Sequence, residues 1–349
     1  MLLLSLLRLP TAAAGDEWGL DRLESSTPAS AQSVLGDAQV ENSTDEGLWE
    51  RIGRSAFEYF VRAMRPALSA SFLMLTVVLL CSLCEAADGS GRAGQYVMLA
   101  GVAAIGTTGL ADVNSYMTTA ASTLQELSDY TRVLLPTLSA VSAAAGSVSA
   151  AAGKCAATAL FMDLLMSAAQ GVVMPLICGF AALSLGSAAF GDAALNAAAG
   201  LMRRLCTLTL TALCTAFTLW LSLISIVSGS ADAALTRAAK TGLAAIPVVG
   251  RVISDAAAAL SAAAAGIRGM AGVFGLAVTL LICLAPLAEL TARYVLFKLT
   301  AALCGCVAEG RFAALLNAVG SCYGMLLALC GAGAAIVFVS LFSLMRAVL

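Results

Sequence analysis

Long apolar runs constrain this sequence more than any other feature. A membrane-spanning helix needs about 20 apolar residues, and several segments approach or exceed that length: Ala67–Cys84, Cys155–Phe190, Leu205–Ser228, Met270–Leu290 and Phe312–Leu344. Only 11% of the residues are charged, less than half of the roughly 25% found in soluble domains. The sequence therefore predicts an all-α, polytopic integral membrane protein with about six to eight apolar helices, some re-entrant or broken.

Composition also excludes several classes of function. The chain has no histidine, which removes Ser-His and Cys-His catalysis and histidine metal sites. It contains no G-x-x-x-x-G-K-[ST] phosphate-binding loop. The net charge is −2 and the chain after Glu50 is mildly basic or neutral, so nucleic-acid binding has no electrostatic support. We therefore expect no enzymatic activity, no cofactor and no metal.

The N-terminal part differs from the rest of the chain. Met1–Leu7 is apolar and Thr11–Ala14 offers a small-residue cleavage site, which predicts a signal peptide over residues 1–14. Residues 15–46 are acidic and rich in Ser and Thr. Such a composition predicts a disordered segment, placed outside the cytoplasm by the signal.

An amphipathic pattern covers residues 47–66. Apolar residues such as Ile52, Phe57 and Val61 recur at helical spacing, and arginines occupy the opposite face. The pattern predicts a helix in the membrane interface, with a cytosolic helix packed on a partner as the alternative. Pro66 is predicted to start the first span of a membrane domain over residues 67–349.

The next segments are less clearly apolar. Gly94–Leu110 is a weak span, Asp112–Arg132 has the pattern of a polar connector, and Val133–Ala152 is predicted to be re-entrant. The run Val133–Ala152 carries Pro136, and a helix is expected to end in the turn Leu134-Leu-Pro136. Pro175 is expected to divide or kink the 36-residue run Cys155–Phe190.

Single polar residues inside apolar runs are functional candidates. Asp163 is one, because a carboxylate within a span is costly; the alternative is a residue that caps a helix near the interface. Arg293 and Lys298 suit a cytoplasmic loop under the positive-inside rule. Gly320-x-x-x-Gly324 permits close approach of two helices.

The leading candidate is the polar interruption between two apolar segments at Leu243–Ala256. Pro247 predicts a helix end near Ala245, and Gly250 permits unusual backbone angles. Ser254 or Asp255 could cap the following helix. A broken helix at membrane depth is a site where protein or water satisfies the freed backbone groups. The alternative is a polar turn at the membrane surface.

These features together resemble one known family. The motif Ile246-Pro-Val-Val-Gly250 is followed by Ser254-Asp255, and turns at Leu134-Leu-Pro136 and Val173-Met-Pro-Leu176 precede it. Leu281-Ile-Cys-Leu-Ala-Pro286 and a Gly-rich final helix follow. From about Leu48 to the C-terminus the chain resembles the stage III sporulation protein AE family.

The resemblance implies a structural role in a channel or secretion-like complex that joins mother cell and forespore. It implies a place in the mother-cell membrane around the forespore and a requirement for late forespore gene expression. The implied partners are other membrane subunits of the stage III sporulation A complex and membrane lipid, and a homo-oligomer is compatible with it. No catalytic residue carries over.

Two alternatives from other function classes stay open. One is a stand-alone secondary transporter with a broken-helix site at Ile246–Asp255. The other is an intramembrane enzyme that uses Asp163 and Asp255 as an aspartyl pair.

Overall fold

The computed structural model describes the backbone of residues 27–28, 46–87, 92–144, 148–244, 249–307 and 310–346. It describes side chains for 27–28, 50–84, 96–143, 151–226, 270–306 and 310–345. Within the described backbone, only residues 27, 28, 191 and 192 are not helical. The predicted all-α fold is confirmed. The predicted signal peptide and nearly all of the acidic segment lie outside the described residues.

Seven α-helices and one π-helical turn make up the described fold. They are α1 Glu46–Ala87, α2 Arg92–Ala144, α3 Val148–Ala168, the π turn Ala169–Val173, α4 Met174–Phe190, α5 Ala193–Ala244, α6 Val249–Val307 and α7 Gly310–Arg346. Among the described residues, six helical segments are long and apolar enough to cross a membrane, with α3, the π turn and α4 forming one of them. This number agrees with the lower end of the prediction.

Helices α6 and α7 form the centre of the bundle. They pack most extensively on each other, α2 packs on both, and α1 packs on α6. Helices α3 and α4 pack on α5. In the most apolar stretches of α6 and α7, 61% of the residues are buried, against 22% in α1 and α5. Helices α1 and α5 are therefore peripheral, and α6 and α7 are central.

Two glycines of α7 allow its close contact with α6. A Cβ added at Gly324 would lie 2.9 Å from the Tyr294 ring, and one at Gly320 would lie 3.3 Å from Cβ of Phe297. Both distances are shorter than ordinary van der Waals contact. The close approach predicted for Gly320-x-x-x-Gly324 is confirmed, and the partner helix is α6.

Two predicted helix boundaries at prolines are wrong. Helix α1 continues through Pro66 and α2 continues through Pro136. The predicted interfacial helix and first span are therefore one helix, and the predicted connector 112–132 is the middle of another. Each proline leaves only the carbonyl four residues before it without a helical N–H donor, those of Arg62 and Arg132, and the rest of each helix continues unbroken. In apolar surroundings a continuous helix keeps the remaining backbone groups paired.

The predicted division or kink at Met174–Pro175 takes the form of a π turn within one continuous helical segment. The π turn Ala169–Val173 ends directly before α4, and Pro175 lies in the first turn of α4. The Met174 N–H bonds the Ala169 carbonyl five residues back, so the widened turn lies next to the position where proline supplies no backbone donor.

A tight turn at Gly191–Asp192 joins α4 and α5. Gly191 has a left-handed backbone (φ 69°), and its N–H bonds the Ser187 carbonyl at 2.8 Å. The Asp192 carboxylate accepts a hydrogen bond from the Ala194 N–H at 2.8 Å and so caps α5. The turn sets α4 and α5 side by side.

Candidate functional site

A buried polar cluster joins the three central helices. Asp112 and Tyr116 lie one turn apart on α2, Arg293 lies on α6 and Tyr323 on α7. The Arg293 guanidinium donates to Asp112 Oδ2, and the Tyr323 hydroxyl donates to the same oxygen. One carboxylate therefore ties α2 to both α6 and α7.

Aromatic rings enclose the arginine of this cluster. The guanidinium carbon of Arg293 lies 4.3 Å from the centroid of the Tyr116 ring and 5.9 Å from that of Tyr323. The two rings meet edge to face at 5.8 Å between centroids. Cation–π contacts of this kind stabilise a desolvated guanidinium. The side chain of Arg293 is 9% exposed and that of Asp112 is 27% exposed, so the cluster opens outward on the α2 side.

The cluster is a charge-neutral tie between helices. The buried guanidinium of Arg293 would be strongly unfavourable without a counter-charge, and the partly exposed carboxylate of Asp112 supplies it. The hydroxyl of Tyr323 fills a further acceptor position on the carboxylate. The arrangement holds charge in place within the bundle; it does not present a nucleophile beside a general base.

Two further polar contacts anchor α7. Lys298 of α6 donates to Asn317 Oδ1 at 2.6 Å and to Ser321 Oγ at 2.8 Å. Buried Lys154 of α3 donates to the Ser343 carbonyl at 2.8 Å. Each ammonium is thus held by oxygens of α7, and polar ties occur near both ends of that helix.

The structure places Asp163 differently from the prediction. It lies in the interior of α3 and its carboxylate is exposed, 3.2 Å from the guanidinium of Arg132 on α2. Arg132 also lies 3.9 Å from Asp129. Asp163 therefore does not cap a helix, and it belongs to a charged group on the outer surface of α2 and α3.

The leading sequence candidate is only partly described. Helix α5 ends at Ala244, next to the predicted end at Ala245, and α6 begins at Val249. Pro247 lies outside the described residues. Of Gly250, Ser254 and Asp255, only the backbone is described. Because α6 begins at Val249, Ser254 and Asp255 lie in its second turn, and the prediction that one of them is the N-cap is wrong.

Of the predicted site residues, Pro136 and Pro175 lie within α2 and at the start of α4, apart from the buried cluster. Sequence reasoning missed Asp112, Tyr116 and Tyr323, and it assigned Arg293 to a cytoplasmic loop. That assignment is wrong, because Arg293 lies within α6. A charge in a helix of membrane length indicates a buried partner, but the sequence does not reveal which residue that is, because Asp112 is 181 residues away.

The comparison with known families covers nearly the whole chain. The family model described as stage III sporulation protein AE (spore_III_AE) matches residues 33–347.

The chain belongs to the stage III sporulation protein AE family.

The match begins before Leu48, where the resemblance was expected to begin, and it includes every residue of the buried cluster. No curated protein and no solved structure matches the chain. As a member of this family with six apolar helical segments among its described residues, the protein is a multi-pass membrane protein of stage III sporulation.

Proposed function

We propose that this chain is a membrane subunit of the channel or secretion-like complex that joins mother cell and forespore. It is needed there for late forespore gene expression. The observation that carries the proposal is the family match over residues 33–347. The protein resides in the mother-cell membrane that surrounds the forespore, with its N-terminal segment outside the cytoplasm.

The role is structural and not enzymatic. The sequence has no histidine, and the charged groups Asp112, Arg293 and Lys298 are used to hold helices together. Because the chain lacks a phosphate-binding loop, any ATP-driven step belongs to a partner. The partners are the other membrane subunits of the stage III sporulation A complex.

Membrane lipid is the second partner. Helices α1 and α5 expose large apolar side chains, among them Phe72 (71% exposed) and Ile226 (73% exposed). Such faces are suited to acyl chains. The central helices α6 and α7 are shielded by the others.

The test uses a strain that lacks this protein and carries a reporter of late forespore gene expression. We expect reporter activity to be lost without the protein and to return when it is produced in the mother cell alone. Production in the forespore alone should not restore it. A normal reporter signal without the protein, or rescue from the forespore alone, would contradict the proposal.

A further inference from the structure

One surface of α2 differs from the exposed surfaces of the peripheral helices. Every exposed position between Ala103 and Arg132 carries Ala, Ser, Thr or a longer polar side chain. We call these exposed residues the polar face of α2. The exposed positions of α1 include Leu68 and Phe72, and those of α5 include Leu208 and Ile226.

The polar face of α2 is longer than a bilayer core is thick. Thirty helical residues rise about 45 Å at about 1.5 Å per residue, whereas the hydrocarbon core is about 30 Å thick. Wherever the bilayer core lies along residues 103–132, α2 presents this face within it.

The neighbouring helix α7 is apolar along this part of α2. Tyr323 of α7 contacts Asp112, and Gly333 contacts Leu124, so the two helices run side by side in the same direction. Helix α7 contains no charged residue between Arg311 and Arg346. The polar face thus lies alongside one of the most apolar helices of the chain.

The same level of the bundle presents apolar groups on its other side. Cys178 of α4 contacts Met117 of α2, and Gly179 faces Met202 of α5. Leu208 lies six residues beyond Met202, which places it level with Ser122, and it is 65% exposed. At the level of Ser122, then, α5 exposes Leu208 and α2 exposes polar side chains, whereas at the level of Met117 α5 exposes Arg203 and Arg204.

The longer side chains of the polar face decide what covers it. The hydroxyls of Thr118 and Ser122 bond carbonyls of their own helix, and lipid tolerates such groups. The amide of Asn114 and the carboxylate of Glu126 are exposed, and such groups are strongly disfavoured in hydrocarbon. They require water or polar partners. The exposed carboxylate of Asp129 accepts hydrogen bonds from the Gln125 amide at 3.0 and 3.1 Å and lies 3.9 Å from Arg132.

Adjacent groups extend this polar surface. The partly exposed carboxylate of Asp112 opens beside it, since Asp112 lies one turn from exposed Thr108 and Ser115. Exposed Asp163 of α3 contacts Arg132, and exposed Gln170 lies in the π turn, which runs back alongside α2. Exposed Leu160 and Leu164 lie on the same helix as Asp163, so α3 adds single polar groups and not a continuous polar face.

We propose that the polar face of α2 lines a water-filled passage through the membrane that admits hydrophilic solutes. Further copies of this chain or other membrane subunits close the passage on its opposite side. The proposal rests on the proposed function and deepens it, because it assigns the element that lines the route.

Cysteine labelling in membranes of sporulating cells tests this proposal with two pairs of variants. The two residues of each pair lie at the same height along the helix bundle. Ser115→Cys on the polar face is paired with Ser69→Cys on α1. Gly109 faces Met74 and Gly101 faces Cys81, so the helices are antiparallel and Ser69 lies level with Ser115. Ser122→Cys is paired with Leu208→Cys on α5. All four positions are exposed.

The reagent is a membrane-impermeant cationic thiosulfonate, and peptide mass spectrometry reads the label at the introduced residue. We expect each α2 thiol to react at least about tenfold faster than its paired control, because the reacting species is the thiolate, which forms in water and not in lipid. A clear difference within either pair supports the passage.

Equal rates within both pairs would overturn the proposal. If all four introduced thiols react slowly, lipid covers the polar face of α2. If all four react fast, that face lies outside the membrane. Protection of the α2 thiols in the membrane, with a disulfide to another subunit on mild oxidation, would also overturn it in favour of a dry protein interface. Failure of the partner subunits to co-purify, with fast α2 labelling retained, would contradict the proposed complex and leave the water-lined face standing.

Discussion

At the scale of single residues, Asp112 and Arg293 show why charge is retained inside an apolar bundle. Each side chain is acceptable there because the other compensates it, and Tyr323 and Tyr116 complete the surroundings. A substitution that removes one charge leaves the other buried and uncompensated. The effect of a double substitution should therefore differ from the sum of its parts.

We predict that Asp112→Asn destabilises the protein by about 3–5 kcal/mol, because it leaves the buried guanidinium of Arg293 without its counter-charge. Arg293→Met should destabilise it less, because the carboxylate that remains is partly exposed. The double variant should be more stable than Asp112→Asn alone, since it leaves no buried charge. Thermal melting of the detergent-solubilised full chain, with size-exclusion chromatography as the readout, gives the order of stability of the variants. Single variants as stable as the unsubstituted chain would show that the pair contributes nothing.

Gly191 is the second residue whose role is specific. We predict that Gly191→Ala destabilises the protein by about 1–2 kcal/mol, because a side chain disfavours the left-handed backbone at that position. Gly200→Ala is the matched control in α5, where an added Cβ meets no atom within 4 Å. It should be neutral or stabilising by up to about 1 kcal/mol. Equal melting shifts for the two variants would contradict the role of the turn.

At the scale of helices, the apolar pattern predicted well which segments are helical, but it predicted poorly where each helix begins and ends. The end of α4 at Phe190 and the α7 helix were predicted from the apolar runs that contain them. Pro66 and Pro136 were expected to end helices but do not, because each removes one backbone hydrogen bond, whereas continuing the helix keeps the other backbone groups paired. Sequence alone does not show whether an apolar environment forces the helix to continue.

The contact between α6 and α7 gives the element-scale prediction. We expect Gly324→Ala to destabilise the protein by about 1–3 kcal/mol, because its Cβ would overlap the Tyr294 ring and force the helices apart. Gly331→Ala in the same helix is the control, since an added Cβ there meets no atom within 4 Å. The same melting measurement compares the two. A Gly331→Ala chain that melts as low as Gly324→Ala would exclude helix contact as the cause.

At the scale of the whole molecule, the sequence predicted the class of fold but not the site. Long apolar runs were sufficient for an all-α membrane protein, and the Ile246–Gly250 motif was sufficient for the family. The buried cluster was not predictable, because Asp112, Arg293 and Tyr323 are far apart in sequence and meet only through packing of three helices. Asp163, by contrast, was correctly placed within a span but lies on its outer surface.

The arrangement of the bundle also bears on its partners. Peripheral α1 and α5 expose large apolar side chains, while α2 exposes polar ones at the same level. A protein that crossed lipid alone would be expected to present apolar groups all round. This difference between its sides is the property expected of one subunit in a larger membrane assembly, whereas a stand-alone transporter would enclose its polar route within a single chain.

The most direct test of membership in the complex is affinity purification of the full-length tagged chain from membranes of sporulating cells. Mass spectrometry would then identify and quantify the proteins that accompany it, with an untagged strain as control. The account predicts strong enrichment of the other stage III sporulation A membrane subunits. A tagged chain that supports normal late forespore gene expression and yet purifies without any of them would contradict the account.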